Sequence, residues 1–140
     1  MERIKYDMSL IKTMSLFEEV TRTQLKDCFI DRNSHLLFIV DEANMSKAIG
    51  KRGQNVKHLE KLLNRKIKIV SFTPDVLQFI QNLILPFKVR DIKAQENIVT
   101  ITGQDTHSKA LIIGKNAQNL RNFESMVQRY FPEIKEIKVI

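Results

Sequence analysis

At 140 residues, 43% hydrophobic and 28% charged, with four glycines and three prolines, the chain can bury a core and is no disordered or low-complexity tail. A net charge of +7 predicts attraction to a polyanion and says nothing about fold. One cysteine and three scattered histidines exclude an internal disulfide and ordinary metal-ligand spacing.

Ser9–Val20 reads as a helix, with Leu10, Met14 and Phe17 at helical spacing. Gln24–Ile30 and His35–Val40 are rich in apolar, strand-forming residues, and Asp31-Arg32-Asn33-Ser34 between them suits a hairpin turn. Asp41 is a candidate cap for a short helix to Ile49, which Gly50-Lys51-Arg52-Gly53 then breaks. Gln54–Leu63 resumes helical spacing with Val56, Leu59, Leu62 and Leu63 inward, and Lys66–Phe72 alternates like a strand.

Thr73-Pro74-Asp75 restarts the pattern: Thr can cap, Pro is tolerated in a first helical turn, and Asp favours the positive helix end. Val76, Phe79, Ile80, Leu83 and Ile84 form a helical stripe that stops before Pro86. Strands are expected over Phe87–Ile92 and Ile98–Thr102, around a turn at Gln95-Glu96-Asn97. Asp105 or Thr106 caps a short helix to Ile113, and Gly114-Lys115-Asn116-Ala117 follows. A helix with Leu120, Phe123, Val127 and Tyr130 inward and a strand over Ile134–Ile140 complete the chain. The order helix, strand, strand, helix, helix, strand occurs twice. It predicts an α+β chain of two modules, 1–72 and 73–140, with no flexible linker between them.

Residues repeat as well, at an offset of 64. Ile49-Gly50-Lys51 matches Ile113-Gly114-Lys115, and Gln54-Asn55 matches Gln118-Asn119. Lys57 pairs with Arg121, Glu60 with Glu124 and Arg65 with Arg129. After an insertion of six residues that includes Tyr130-Phe131-Pro132, Ile67-Lys68-Ile69-Val70 matches Ile137-Lys138-Val139-Ile140. Shared apolar positions could be common core pattern, but matched polar residues around a shared loop indicate a duplication.

The charge is not spread evenly. Lys47, Lys51, Arg52, Lys57, Lys61, Arg65, Lys66 and Lys68 face a single acid, Glu60, in one stretch of 22 residues, and the rest of the chain is neutral. A solvated helix face is the bland explanation of a charge run. Localisation this complete favours a binding surface instead. A lone G-x-x-G is weak evidence, since glycines serve many turns. Here each loop lies between two helices, and the helix after it offers free N–H groups and a positive dipole end. Small residues let a phosphate backbone approach the main chain, and Lys51 and Arg52 add attraction without reading sequence.

These loops resemble the KH family, whose G-x-x-G loop clamps about four nucleotides. The helix-first order resembles the type II arrangement, a three-stranded sheet with helices packed on one face. Tandem modules with Ile-Gly-Lys-x-x-Gln-Asn loops are similar to the RNA-binding part of NusA, and the two-module layout resembles archaeal NusA-like termination/antitermination factors. The resemblance covers nearly the whole chain and implies no room for the further domains of the bacterial protein. It implies that Ile49, Gly50, Lys51, Arg52, Gly53, Gln54, Asn55 and Lys57 bind single-stranded RNA in the first module. Ile113, Gly114, Lys115, Asn116, Ala117, Gln118, Asn119 and Arg121 would do so in the second. Ala117 departs from the motif, at a cost only if its position needs a positive φ. Asn116 leaves the second loop one cation short, so the first module is expected to dominate phosphate attraction.

An enzyme is not expected. No Ser, Cys or acid stands in a nucleophile motif, and Gly50-Lys51 lacks the upstream glycine of a P-loop. Cys28 reads as core and His58 as an exposed bystander. Phe123 and Tyr130 read as core aromatics, not stacking platforms. The longest apolar run, Leu36–Val40, is too short to span a membrane, and Met1–Asp7 has no apolar stretch of secretory type. A cytoplasmic monomer without cofactor or membrane association is expected, with single-stranded RNA as partner and RNA polymerase as a candidate second one. A ribosome-associated RNA-binding factor and a KH-fold module that docks on polymerase are the alternatives.

Overall fold

A computed structural model describes residues 8–140, so the Met1–Asp7 segment read above lies outside the described residues. The chain divides into two compact units, one ending at Phe72 and one running Thr73–Ile140. Both combine helices with a three-stranded sheet, an α+β organisation.

In the first unit the order is α1 (Met8–Thr21), β1 (Asp27–Ile30), β2 (Leu36–Asp41), a 3-10 turn (Glu42–Asn44), α2 (Met45–Ile49), a second 3-10 turn (Lys51–Gly53), α3 (Gln54–Leu63) and β3 (Ile67–Phe72). β2 is central, antiparallel to β1 and parallel to β3. A tight hairpin reverses β1 into β2, whereas the helical crossover returns the chain so that β3 runs parallel. Asp31 fixes the hairpin: its carboxylate accepts from the N–H of Asn33 at 2.9 Å and of His35 at 2.8 Å. All of Leu36–Val40 is buried, so the central strand reads as a continuous apolar run. Cys28, Phe38 and Ile69 form a row across the three strands. Phe17 from α1, Ala48 from α2 and Leu59 from α3 join them in the core. The rings of Phe17 and Phe38 stack with centroids 4.4 Å apart. Burying each ring contributes about 1.5–3 kcal/mol.

The second unit repeats the order: α4 (Val76–Ile84), β4 (Val89–Gln95), β5 (Ile98–Gly103), α5 (Thr106–Ile113), a 3-10 turn (Lys115–Ala117), α6 (Gln118–Tyr130) and β6 (Glu136–Val139). β5 is central, antiparallel to β4 and parallel to β6. Glu96 and Asn97 make the β4–β5 turn with φ of 52° and 66°, which suits the right-handed twist of a hairpin. Phe79, Ile80, Leu83 and Ile84 bury the stripe of α4. Tyr130 meets Phe79 edge-on at 5.4 Å and Phe131 lies 5.7 Å from the same ring. The inserted residues thus lengthen the core under α4.

Local expectations shift in several places. β4 starts at Val89, not Phe87, and runs on through Gln95, which leaves Glu96 and Asn97 as the turn, and β6 spans Glu136–Val139 within the expected Ile134–Ile140. Gln24–Lys26 lies outside β1: the N–H of Leu25 goes to the Glu18 carboxylate on α1, although Lys26 N–H still reaches Ile39 O of β2 at 2.8 Å. Asp41 ends β2 and makes no side-chain capping bond; a 3-10 turn opens the next helix instead. Asp75, not Thr73, caps α4, accepting from the N–H groups of Leu77 and Gln78, while Thr73 Oγ1 accepts from Asp75 N–H. Leu62 is 51% exposed, and in α6 the buried set is Leu120, Asn122, Met126 and Val127, with Phe123 and Tyr130 half-buried. No helix among the described residues is long and apolar enough to cross a membrane.

The two aspartates therefore separate in their effect. Asp75→Ala should cost about 1 kcal/mol in urea unfolding, the usual loss for an N-cap acceptor. Asp41→Ala should stay within about 0.5 kcal/mol, as an exposed residue without a bonded role. Equal losses would contradict the assigned caps.

Candidate nucleic-acid interface

The loop between α2 and α3 is shaped by its backbone. Gly50 ends α2 with φ 79° and ψ 167°, a conformation open essentially to glycine alone. Arg52 and Gly53 then take left-handed angles, with φ of 56° and 70°, before α3 begins. Gly50 N–H still closes the helix onto Ser46 O at 3.0 Å, and Gly53 N–H returns to Gly50 O at 3.1 Å. The N–H groups of Lys51 and Arg52 open the new turn, so no carbonyl within it stands behind them.

Lys51, Arg52, Gln54 and Lys57 line a surface pocket of about 430 Å³. Among the described residues none of its three cations takes part in an ion pair. Ile49 sits half-buried against the core and anchors the loop from below. Asn55 does not face the pocket with its amide: Nδ2 donates back to Lys47 O at 3.0 Å. The eight cations of this stretch also divide. Lys47, Lys51, Arg52, Lys57, Lys61 and Lys66 are exposed. Arg65 donates to Ser34 O in the hairpin at 2.7 Å. Burial on β3 lowers the pKa of Lys68 from its ordinary value, and the charge of Asp31 partly restores it.

The second loop has the same backbone. Gly114 has φ 73° and ψ 174°, Asn116 φ 55° and Ala117 φ 60°. Ala117 thus occupies a left-handed position, at a strain of about 1 kcal/mol. Asn116 stands where Arg52 stands in the first loop, and asparagine tolerates that conformation better than most residues. Asn119 Nδ2 donates to Leu111 O at 3.0 Å, repeating the bond of Asn55. Arg121 pairs with Glu124 at 3.2 Å. Lys115 and Gln118 are exposed, and Ile113 is half-buried. Of the two cations assigned to this loop, one is therefore partly neutralised.

The matched acids are structural. Glu60 accepts from Ile67 N–H at 3.1 Å, and Glu124 accepts from Ile137 N–H at 2.9 Å. Each ties the helix after the loop to the strand that closes its sheet. Lys47 contributes to the loop through its main-chain carbonyl, which leaves no mark on residue type. Cys28 is fully buried and His58 exposed.

The two glycines of the first loop are not equivalent. A Cβ on Gly50 would stand 3.0 Å from both Cγ and Nδ2 of Asn55, whereas one on Gly53 would meet nothing within 4 Å. Gly50→Ala should therefore cost about 3 kcal/mol or more, and Gly53→Ala about 1 kcal/mol, in denaturant titrations. Ala117→Gly should leave stability unchanged or raise it by up to about 1 kcal/mol. Equal losses at 50 and 53 would refute this division of roles.

A family model described as the NusA-like second KH domain matches residues 18–74, which fall almost entirely in the first unit. The protein named probable transcription termination protein NusA from Methanococcus vannielii is 30% identical over 141 residues, covering 99% of this chain and 80% of its own length. Its namesake from Methanocaldococcus jannaschii is 26% identical over 143 residues, covering 100% of this chain and 77% of the relative. The crystal structure of APE1850 superposes with a TM-score of 0.72 at 22% identity, covering 96% of this chain and all of that one, a likeness of fold. On the match at 30% identity over 99% of this chain and 80% of the relative, the chain belongs to the family of NusA-like, KH-domain transcription termination proteins.

Proposed function

We propose that the chain is a single-stranded RNA-binding, NusA-like termination/antitermination factor built of two type II KH modules. Each unit has the helix-first order and the mixed three-stranded sheet that this reading requires. One observation carries the RNA reading. The first loop aims three uncompensated cations, Lys51, Arg52 and Lys57, around a pocket at the start of α3. A polyanion is the natural complement, because among the described residues no carboxylate pairs with these charges. The glycine backbone beside them offers close approach to a sugar–phosphate strand. The role is binding and not catalysis, exercised in the cytoplasm beside RNA polymerase.

Charge also ranks the two loops. Lys47, Arg52 and Lys61 of the first module correspond to Leu111, Asn116 and Ser125 in the second. The first module supplies most of the phosphate attraction, and the second supplies position and specificity. This ranking speaks against a module that docks only on protein, which has no use for a cationic loop free of acids.

Titrating a single-stranded RNA oligonucleotide at several salt concentrations tests the reading. Lys51→Asp/Arg52→Asp should keep its circular dichroism spectrum and lose about tenfold or more in affinity. Its salt dependence should be shallower by about 0.7 for each phosphate contact removed. Lys115→Asp should lose less. Undiminished affinity in a folded double variant would mean that the loop is not the clamp.

A further inference from the structure

The motif puts Asn55 and Asn119 beside the RNA, but the structure turns both carboxamides onto the loop's own backbone. Asn55, in the first turn of α3, reaches eight residues back to the carbonyl of Lys47 in the last turn of α2, at 3.0 Å. Asn119 makes the same bond to Leu111 at 3.0 Å in a separate unit. The acceptor residues differ in chemistry, as they can when only the main chain is used.

The need for this bond follows from the way α2 ends. Ser46 O receives Gly50 N–H, but Gly50 then leaves the helix, and Lys47 O loses the amide that a further helical residue would have brought. The side-chain amide replaces it. Asparagine has the donor and the reach; aspartate is acceptor-only when ionised, and alanine has neither. The glycine is the other half of the device. A Cβ at Gly50 would meet the Asn55 carboxamide at 3.0 Å, and one at Gly114 would meet that of Asn119 at 2.7 Å. Glycine lets the carboxamide lie across the turn, and the carboxamide holds the turn in the shape glycine permits.

We propose that Asn55 and Asn119 are positioning residues. Each locks the turn that presents Lys51 and Arg52, or Lys115 and Asn116, and neither spends its amide on nucleic acid. The loop is then formed before RNA arrives, so binding is not charged with the cost of ordering it. This rests on the RNA-binding reading above.

The test uses the full chain carrying Asn55→Ala or Asn55→Asp, with Asn119→Ala in the other unit as the alternative should a variant at 55 fail to fold. Amide proton–nitrogen spectra of the free protein should show shifted or broadened signals at Lys51, Arg52 and Gly53, with β1–β3 unmoved. Affinity for a single-stranded RNA oligonucleotide should fall about three- to tenfold, the range of one lost hydrogen bond. Its salt dependence should be unchanged, since no phosphate contact is removed. Gly50→Ala should also cost less stability in the Asn55→Ala background than alone, because the carboxamide its Cβ would meet at 3.0 Å is gone, leaving the main-chain nitrogen of residue 55 at 3.1 Å and the strain of the positive φ. Weaker binding with unmoved loop signals would make Asn55 an RNA ligand and overturn the proposal. Moved loop signals with unweakened binding would overturn it too. If Lys51→Asp/Arg52→Asp binds like wild type, the RNA reading fails by itself, and the spectra and the Gly50–Asn55 coupling still decide the brace.

Discussion

At Gly50 and again at Gly114 the chain must leave a helix through a backbone conformation that side chains do not tolerate, and must do so next to a packed carboxamide. Everything distinctive about the two units follows from that exit. It stops α2 and α5 short, points the next helix in a new direction, and leaves a turn whose first amides have no helical acceptor. A helix continued through residue 50 or 114 would carry the loop cations around the helix axis in place of presenting them together. The second glycine, Gly53, is under less pressure: a Cβ there would meet nothing within 4 Å, and only its left-handed angles, at about 1 kcal/mol, oppose a side chain. That asymmetry explains how the second module holds Ala117 at left-handed angles while its first glycine is retained.

The duplication acquires a physical meaning. Polar residues matched between the halves might all be taken for ligand contacts, yet two of the matched pairs are internal fasteners. Asn55 and Asn119 close the loop, and Glu60 and Glu124 hold the helix to the last strand through the N–H of Ile67 and Ile137. What differs between the halves is the exposed charge. Among the described residues the first loop's cations take part in no ion pair; the second loop replaces one cation with asparagine and pairs another with Glu124. The scaffold is held constant while the electrostatics diverge, so the two loops share a backbone and differ in charge.

Clustering so many like charges costs stability, since neighbouring cations one helical turn apart repel by a few tenths of a kcal/mol. Lys57 and Lys61 stand in that relation on the exposed face of α3. The core supplies what this costs through the buried aromatic and aliphatic contacts of the sheet with α1 and α3. Two of the eight cations are drawn into the fold itself, Arg65 at the hairpin and Lys68 on β3. The exposed cationic face is therefore narrower than the charge run.

The sequence by itself determined the element order, the repeat and the place of both loops. Helical and strand periodicities, the Asp31–Ser34 turn and the stripe of α4 are local signals, and local signals survive in one dimension. Residue type also located the charge. Tertiary structure alone decided what Asn55, Asn119, Glu60 and Glu124 do, because their partners are main-chain atoms that no residue type reports. It decided that Asp75 caps where Asp41 does not, that Leu62 faces solvent, and that Ala117 carries a positive φ. Each of these depends on a distance or a dihedral angle between groups apart in sequence or beyond the reach of periodicity, and such quantities exist only once the chain has folded.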